Sequence, residues 1–410
     1  MTLSGVIRLG PVLAMPLVCL PATLHNSPLK WTLGTLLDDD GMILLYNQPS
    51  SIWTGEKLFT VGTDSRGVLW QRTWQKNAIN PGPREIFGRD RPDDHASPAF
   101  CMSGESPDFV LSAWHGTPMR LWRRAGDPPS HPWGKRPTAY PRCIALNDES
   151  YLVVSRGHPT NGEPVARYGM LIGAEFDRLG DSKPARPIID WGEGFIVYAG
   201  PMRVHGNRIA ISWTLMNMDG EEAPGLWFAE SRDGGRTWTG GKNELLGETI
   251  LNTTTRIWAD PGGRTLRVLD MRWSPEGWQM AVTAPRGKPF GAAEPVQGWI
   301  IRVEPEGVKI EEVGEVLSSY YPVGLCLDAR DPSIAYATVP KEPTNELVQL
   351  KRVRGHWQKL RSLAWHPERW MNSPQPIEGP EGGPRVIWGE SLKYDRFDQF
   401  RSALYVWPAP

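Results

Sequence analysis

The sequence predicts an all-β fold, a seven-bladed β-propeller, and three observations carry that prediction. Long helical periodicity is absent. Short apolar runs of strand length, separated by Gly, Asp, Asn and Pro turns, follow one another from end to end. The hairpin turns recur at roughly 45 to 65 residues, the length of a four-stranded blade, and about seven such units fit the chain. Composition points the same way. The 43 Gly and 39 Pro punctuate many short strands, and 20 Trp suit both packing between blades and stacking on sugars. A long β-sandwich with a second domain is the rival fold. No linker-like stretch divides the chain, so residues 1–410 read as one propeller domain.

Each hairpin is read from strand runs that flank a turn. Gly41–Tyr46 and Glu56–Val61 are early strands, and a turn at Asp64–Gly67 leads into Val68–Trp74. Pro98–Met102 and Asp108–Trp114 flank Ser103–Pro107, and Met119–Trp122 follows. Tyr140–Leu146 and Tyr151–Arg156 flank Asn147–Ser150. Phe195–Tyr198 and Arg208–Trp213 lie around a turn at His205–Asn207. Thr254–Trp258 and Thr265–Asp270 flank Asp260–Gly263. Val323–Cys326 and Ser333–Thr338 flank Asp328–Pro332. A last hairpin joins Pro376–Ile377 to Val386–Trp388 through Gly379–Pro384.

A formal net charge of -1 argues against nucleic acid or an anionic membrane as the main partner. Leu9–Leu24 is apolar after Arg8, which suggests either a signal peptide or a first strand pair. Pro11, Pro16 and Pro21 interrupt it, and no other stretch approaches a transmembrane length. Cys19, Cys101, Cys143 and Cys326 are widely scattered with no C-x-x-C spacing, so they are expected to be buried free thiols.

Two consecutive hairpins bring chemistry-bearing residues to one open edge. With the first turn centred near Glu105, His95 falls opposite His115; with the next centred on Asp148, Tyr140 falls opposite Arg156. A one-residue bulge would break either pairing. Each residue also has a plain structural reading: a solvated histidine at a strand end, a tyrosine capping a strand, a surface arginine. Asp94 reads as readily as a turn residue as a metal ligand. Tyr198, Arg208, Asn252 and Arg272 lie near later hairpins and are candidate substrate-binding residues. His205 and Arg203 border a turn and read as structural.

Ser231-Arg-Asp-Gly-Gly-Arg-Thr-Trp238 is the sharpest local motif. It matches the Asp-box, S-x-D-x-G-x-T-W, of sialidase-like propellers, and its physics is structural: Asp233 accepts hydrogen bonds from turn amides while Trp238 packs back on the blade. Together with Asp93-Asp-His-Ala-Ser-Pro98, His115, Tyr140 and Arg156, it resembles the BNR-repeat polysaccharide lyases, the ulvan lyases and related rhamnose–glucuronate lyases. The similarity is strongest from Pro92 to Trp238. The stretch between His115 and Tyr140 is shorter than is usual there.

That resemblance implies β-elimination on a uronate-containing polysaccharide. The reaction removes the proton at C5 of a uronate and expels the oxygen at C4. A neighbouring carboxylate makes that proton nearly non-acidic until hydrogen bonds or a cation neutralise it. By resemblance Tyr140 is the general acid and a candidate base, His115 is the other proton-transfer candidate, and His95 and Arg156 bind and neutralise the carboxylate. No cofactor is required. Structural Ca²⁺ or Zn²⁺ would accord with the family, although no ligand set stands out. The expected partner is an anionic polysaccharide, the expected state a monomer, and the expected location secreted or periplasmic. A sialidase-like glycoside hydrolase and a non-catalytic carbohydrate-binding propeller remain the alternatives; the arginine-bearing N-terminal motif of sialidases is not evident.

Overall fold

The computed structural model describes residues 30–44, 46, 48–96, 98–114, 117–157, 169–217, 225–284, 294–318, 323–396 and 399–410. The apolar Leu9–Leu24 stretch therefore lies outside the described residues, as do Cys19 and His115. The described chain forms seven sheets arranged as a β-propeller. The first blade is Ser51–Trp53, Lys57–Thr63, Val68–Gln75 and Glu85–Arg89. The second has three strands: Ala99–Cys101, Phe109–Ser112 and Arg120–Trp122. The third runs Pro137–Ala145, Ser150–Gly157, Met170–Asp177 and Arg186–Asp190. The fourth begins with Phe195–Ala199 and Arg203–His205, both paired to Arg208–Asn217, and continues outward through Trp227–Ser231, Trp238–Gly240 and Leu245–Gly247. The fifth is Arg267–Ser274, Gly277–Thr283, Glu294–Glu304 and Gly307–Ser318. The sixth is Leu325–Leu327, Ile334–Lys341, Thr344–Val353 and His356–Trp365, and the seventh Trp370–Pro376, Val386–Arg396 and Gln399–Trp407.

Strands from the N-terminal side complete the last two blades. Thr35–Asp38 pairs with Gln399–Trp407 as the fourth strand of the seventh blade, and Trp31–Thr32 joins the outer edge of the sixth. Closing the ring this way covers edges that would otherwise expose unpaired backbone groups. Among the described residues a short 3₁₀ turn stands at Asp94–Ala96, and no helix is long and apolar enough to cross a membrane.

Turn chemistry and tryptophan packing account for the blades. At Asp64–Gly67 the Asp64 carboxylate accepts the Arg66 and Val68 amides at 2.9 and 3.0 Å. Gly67 there has φ +80, and a Cβ would meet the Asp90 carbonyl at 2.3 Å, so only glycine fits. Asp328 receives the Arg330 and Asp331 amides in the same manner. In the turn joining the third and fourth strands of the fourth blade, Asp233 accepts the Arg236 and Thr237 amides at 3.0 and 2.9 Å and the Thr237 hydroxyl at 2.7 Å. Trp238 packs back fully buried beside Trp213, and Trp53, Trp70, Trp74, Trp278 and Trp388 are as fully buried in the other interior layers.

The cysteines depart from expectation. Cys101 and Cys143 stand on the innermost strands of the second and third blades with Cα atoms 5.5 Å apart, and they form a disulfide. Adjacent blades bring these two positions side by side, a contact that spacing along the chain does not reveal. Among the described residues, Cys326 is the buried free thiol.

Candidate active site

His95, Tyr140, Arg156 and Tyr198 gather at the end of the ring where the innermost strands begin. About a turn centred on Glu105, Ala99 pairs with Leu111 and Cys101 with Phe109, while His115, the predicted partner of His95, lies outside the described residues. His95 precedes that ladder, in the 3₁₀ turn. Its amide donates to the Asp93 carboxylate at 2.8 Å, and the same carboxylate binds Nδ1 of its ring. Asp93 also accepts the Trp114 indole N–H. Nδ1 is thus committed to a carboxylate, which holds the ring in one orientation.

The second hairpin keeps the predicted register from Ala145 opposite Tyr151 to Arg142 opposite Val154, then slips. Arg156 pairs with Ala139 rather than Tyr140. The slip is a bulge at Tyr140 and Pro141, with Tyr140 at φ 60, a left-handed conformation uncommon outside glycine. Tyr140 and Arg156 nonetheless meet. The Arg156 guanidinium carbon lies 4.6 Å from the Tyr140 ring centre and 5.3 Å from that of Tyr198. The His95 ring stacks on Tyr140 at 5.3 Å. His95, Tyr140 and Arg156 are each only 2 % exposed.

Three further residues belong to this cluster and carried no signal in the sequence. Tyr46 packs on Tyr140 at 5.0 Å and on Tyr198 at 5.9 Å. Arg267, which opens the innermost strand of the fifth blade, lies 4.6 Å over Tyr198. Arg142 donates to the Tyr140 and Ala199 carbonyls. Burial, with smaller contributions from Arg156 and Arg203, pushes Arg142 down to about 9. Burial pushes the Tyr46 hydroxyl up to about 12, against the opposing pull of Arg267, Arg142 and Arg156. Three phenols, an imidazole and several guanidiniums thus share one buried locus. Such a set can bind an anion and move a proton beside it.

The remaining candidates lie elsewhere. Arg272 sits further along the innermost strand of the fifth blade, in an ion-pair network with Asp270 and Glu378 that also takes in Arg203. Arg203 thus has a structural setting, in line with its reading from sequence. Arg208 pairs with His205 at the far end of the fourth blade, while Tyr198 pairs with Thr214. At about 3.3 Å per residue, the six-residue separation between Arg208 and Thr214 is on the order of 20 Å. There Arg208 binds Glu230 at 2.9 Å and lies over Trp273. Asn252 is exposed just after Ile250–Leu251, which pairs with the outermost strand of the third blade. Hairpin reading places a residue near a turn without saying at which end of the ring that turn lies. Among the described residues no group of three or more His, Cys, Asp or Glu side chains is placed to hold a metal ion.

Comparison with solved structures gives two polysaccharide lyases. An ulvan lyase of the family PL25, bound to -[GlcA(1-4)Rha3S]-, superposes with a TM-score of 0.72 at 11% identity, over 91% of this chain and 95% of the other. The polysaccharide lyase Uly1 gives a TM-score of 0.58 at 10% identity, over 92% and 98% of the two chains. No family model matches the sequence, and no curated protein matches it. At these identities the likeness is one of fold: this chain is built on the same propeller as the ulvan lyase.

Proposed function

We propose that the protein is a polysaccharide lyase that cleaves a uronate-containing polysaccharide by β-elimination. The observation that carries this reading is the packing of both His95 and Arg156 on the Tyr140 ring, at 5.3 and 4.6 Å, inside one buried cluster. Arg156 and His95 bind the uronate carboxylate and draw off its charge, which acidifies C5. A base takes the C5 proton, the electron pair forms the C4–C5 double bond, and the C4–oxygen bond breaks. Tyr140 delivers a proton to the departing oxygen and is also a candidate for the base. His115 is the other candidate proton carrier. Tyr198 forms the aromatic wall beside Arg156. The Cys101–Cys143 disulfide supports a secreted or periplasmic protein, since such bonds persist in oxidising compartments. The partner we propose is an anionic polysaccharide, taken up by a monomer.

The test is a panel of uronate polysaccharides assayed for new near-ultraviolet absorbance from the unsaturated product. The reading requires that absorbance on at least one polymer. Shortened chains without unsaturated ends would instead identify a hydrolase, and binding without cleavage a carbohydrate-binding propeller.

A further inference from the structure

Gly41–Leu44, Tyr46 and Gln48–Ser50 lie outside the blade strands and are held from several sides of the ring. The Gly41 amide donates to the Ser402 carbonyl at 2.8 Å, and Met42 and Thr63 exchange both backbone bonds. The Gln48 carbonyl accepts the Cys143 amide at 2.9 Å, and the Pro49 carbonyl accepts that of Phe100 at 2.8 Å. The Ser50 hydroxyl donates to Gln375 at 2.7 Å. First, second, third and seventh blades are thereby tied to one segment, and Tyr46 stands in the middle of it.

We propose that Tyr46 is a positioning residue of the candidate active site, bracing the Tyr140 ring and so holding that phenol in place for proton transfer. Its kinetic consequence rests on the lyase reading; its structural consequence rests on geometry alone. A tyrosine at φ 60 keeps that backbone only where its surroundings over-determine it. Its ring is packed by His95, Arg156 and Tyr46, the last at 5.0 Å and tilted 46°. The segment that carries Tyr46 also meets the bulged strand itself, through a parallel bridge between Gln48 and Arg142. The departure from regular pairing at Tyr140 and the ring that braces it therefore come from the same stretch of chain. Arg142, Arg156 and Arg267 all act on the Tyr46 hydroxyl, yet burial dominates and keeps it protonated. Tyr46 thus presents a neutral flat ring to Tyr140, Tyr198 and the cations, and adds no charge to compete with an anionic ligand.

The experiment compares Tyr46→Ala and Tyr46→Phe with the unsubstituted protein by crystal structure, thermal melt, and kcat and KM on the best polymer of the panel. In Tyr46→Ala, Tyr140 should leave the left-handed region or its hydroxyl should move by about 1 Å, a misplacement that can cost up to about 10²-fold in turnover. We expect kcat to fall at least about 10-fold, with KM within about 3-fold. Tyr46→Phe, which keeps the ring, should restore the Tyr140 position and most of kcat. If Tyr46→Ala does not fold, Tyr46→Leu keeps the apolar volume without the flat ring and carries the same comparison. A folded variant lacking the ring, with Tyr140 unmoved, overturns the proposal. A moved Tyr140 in a protein that forms no unsaturated product overturns the lyase reading and leaves the brace standing.

Discussion

Tyr140 combines a left-handed backbone with a ring enclosed by a histidine, a tyrosine and an arginine. Tyr140→Phe keeps the ring and deletes the hydroxyl, so it separates packing from proton transfer. Initial rates of unsaturated-product formation should fall by about 10²-fold or more, the range for a general acid–base group, with the melting temperature little changed. Near-normal turnover in a folded Tyr140→Phe protein would move the proton-carrying role to His115. Arg156→Ala should weaken both binding and turnover, because its charge acts on the carboxylate before and during reaction. Tyr46 supplies a pH prediction. Its folded-state pKa, about 12, lies above the ordinary tyrosine value of 10.0. The folded state therefore holds a proton that the unfolded chain loses, and the associated stability is complete below about pH 10 and lost as pH rises toward 12. Two pH units correspond to on the order of 2 to 3 kcal/mol. Denaturant melts from pH 9 to 12 should show a shallower alkaline loss in Tyr46→Phe than in the unsubstituted protein; parallel curves would remove Tyr46 as a contributor.

Single strands and turns were the most legible level. The register about Glu105 and that about Asp148 followed from apolar runs and turn residues, because pairing within a hairpin is a local matter. The slip at Tyr140 was not legible. It coincides with the bridge from Arg142 to Gln48, a partner nearly a hundred residues upstream whose approach no local pattern encodes. Arg267 and Tyr46 were missed for the same reason: each reads as an ordinary residue of a strand run until neighbouring blades bring it to Tyr198. Cys101 and Cys143 are likewise local strangers joined by the ring. Their bond closes a loop with a sequence separation of 42, and its loss should cost about 2 to 4 kcal/mol. Cys101→Ser should lower the denaturation midpoint accordingly. Because it joins the innermost strands that follow His95 and carry Tyr140, activity should fall before global unfolding sets in. A midpoint unchanged by Cys101→Ser would show that the bond adds no stability.

At the scale of the whole ring, blade count and all-β class were readable because hairpin spacing repeats, whereas the way the circle closes depended on pairing between remote ends. Thr35–Asp38 against Gln399–Trp407 is that closure, and the Gly41 amide on the Ser402 carbonyl continues it toward Tyr46. Replacing Leu37, which is buried in the core shared by the first and seventh blades, with Asp should lower the melting temperature by several degrees, since an unpaired charge would enter an apolar layer. An unchanged melt would show that the closing strand adds little.

Closure also sets a timetable for synthesis. Every residue of the candidate cluster lies between Tyr46 and Arg267, so all have been made well before the ring can shut. The segment bearing Tyr46 is anchored by Ser402 and Gln375, which are translated after every residue of that cluster. Contacts this distant in sequence form late, because the loop they close must first be ordered. A nascent chain stalled after Arg267 would hold every chemical group of the cluster without the tie that seats Tyr46. Competence would then arrive as a single late event, when the seventh blade locks onto Thr35–Asp38, made long before it.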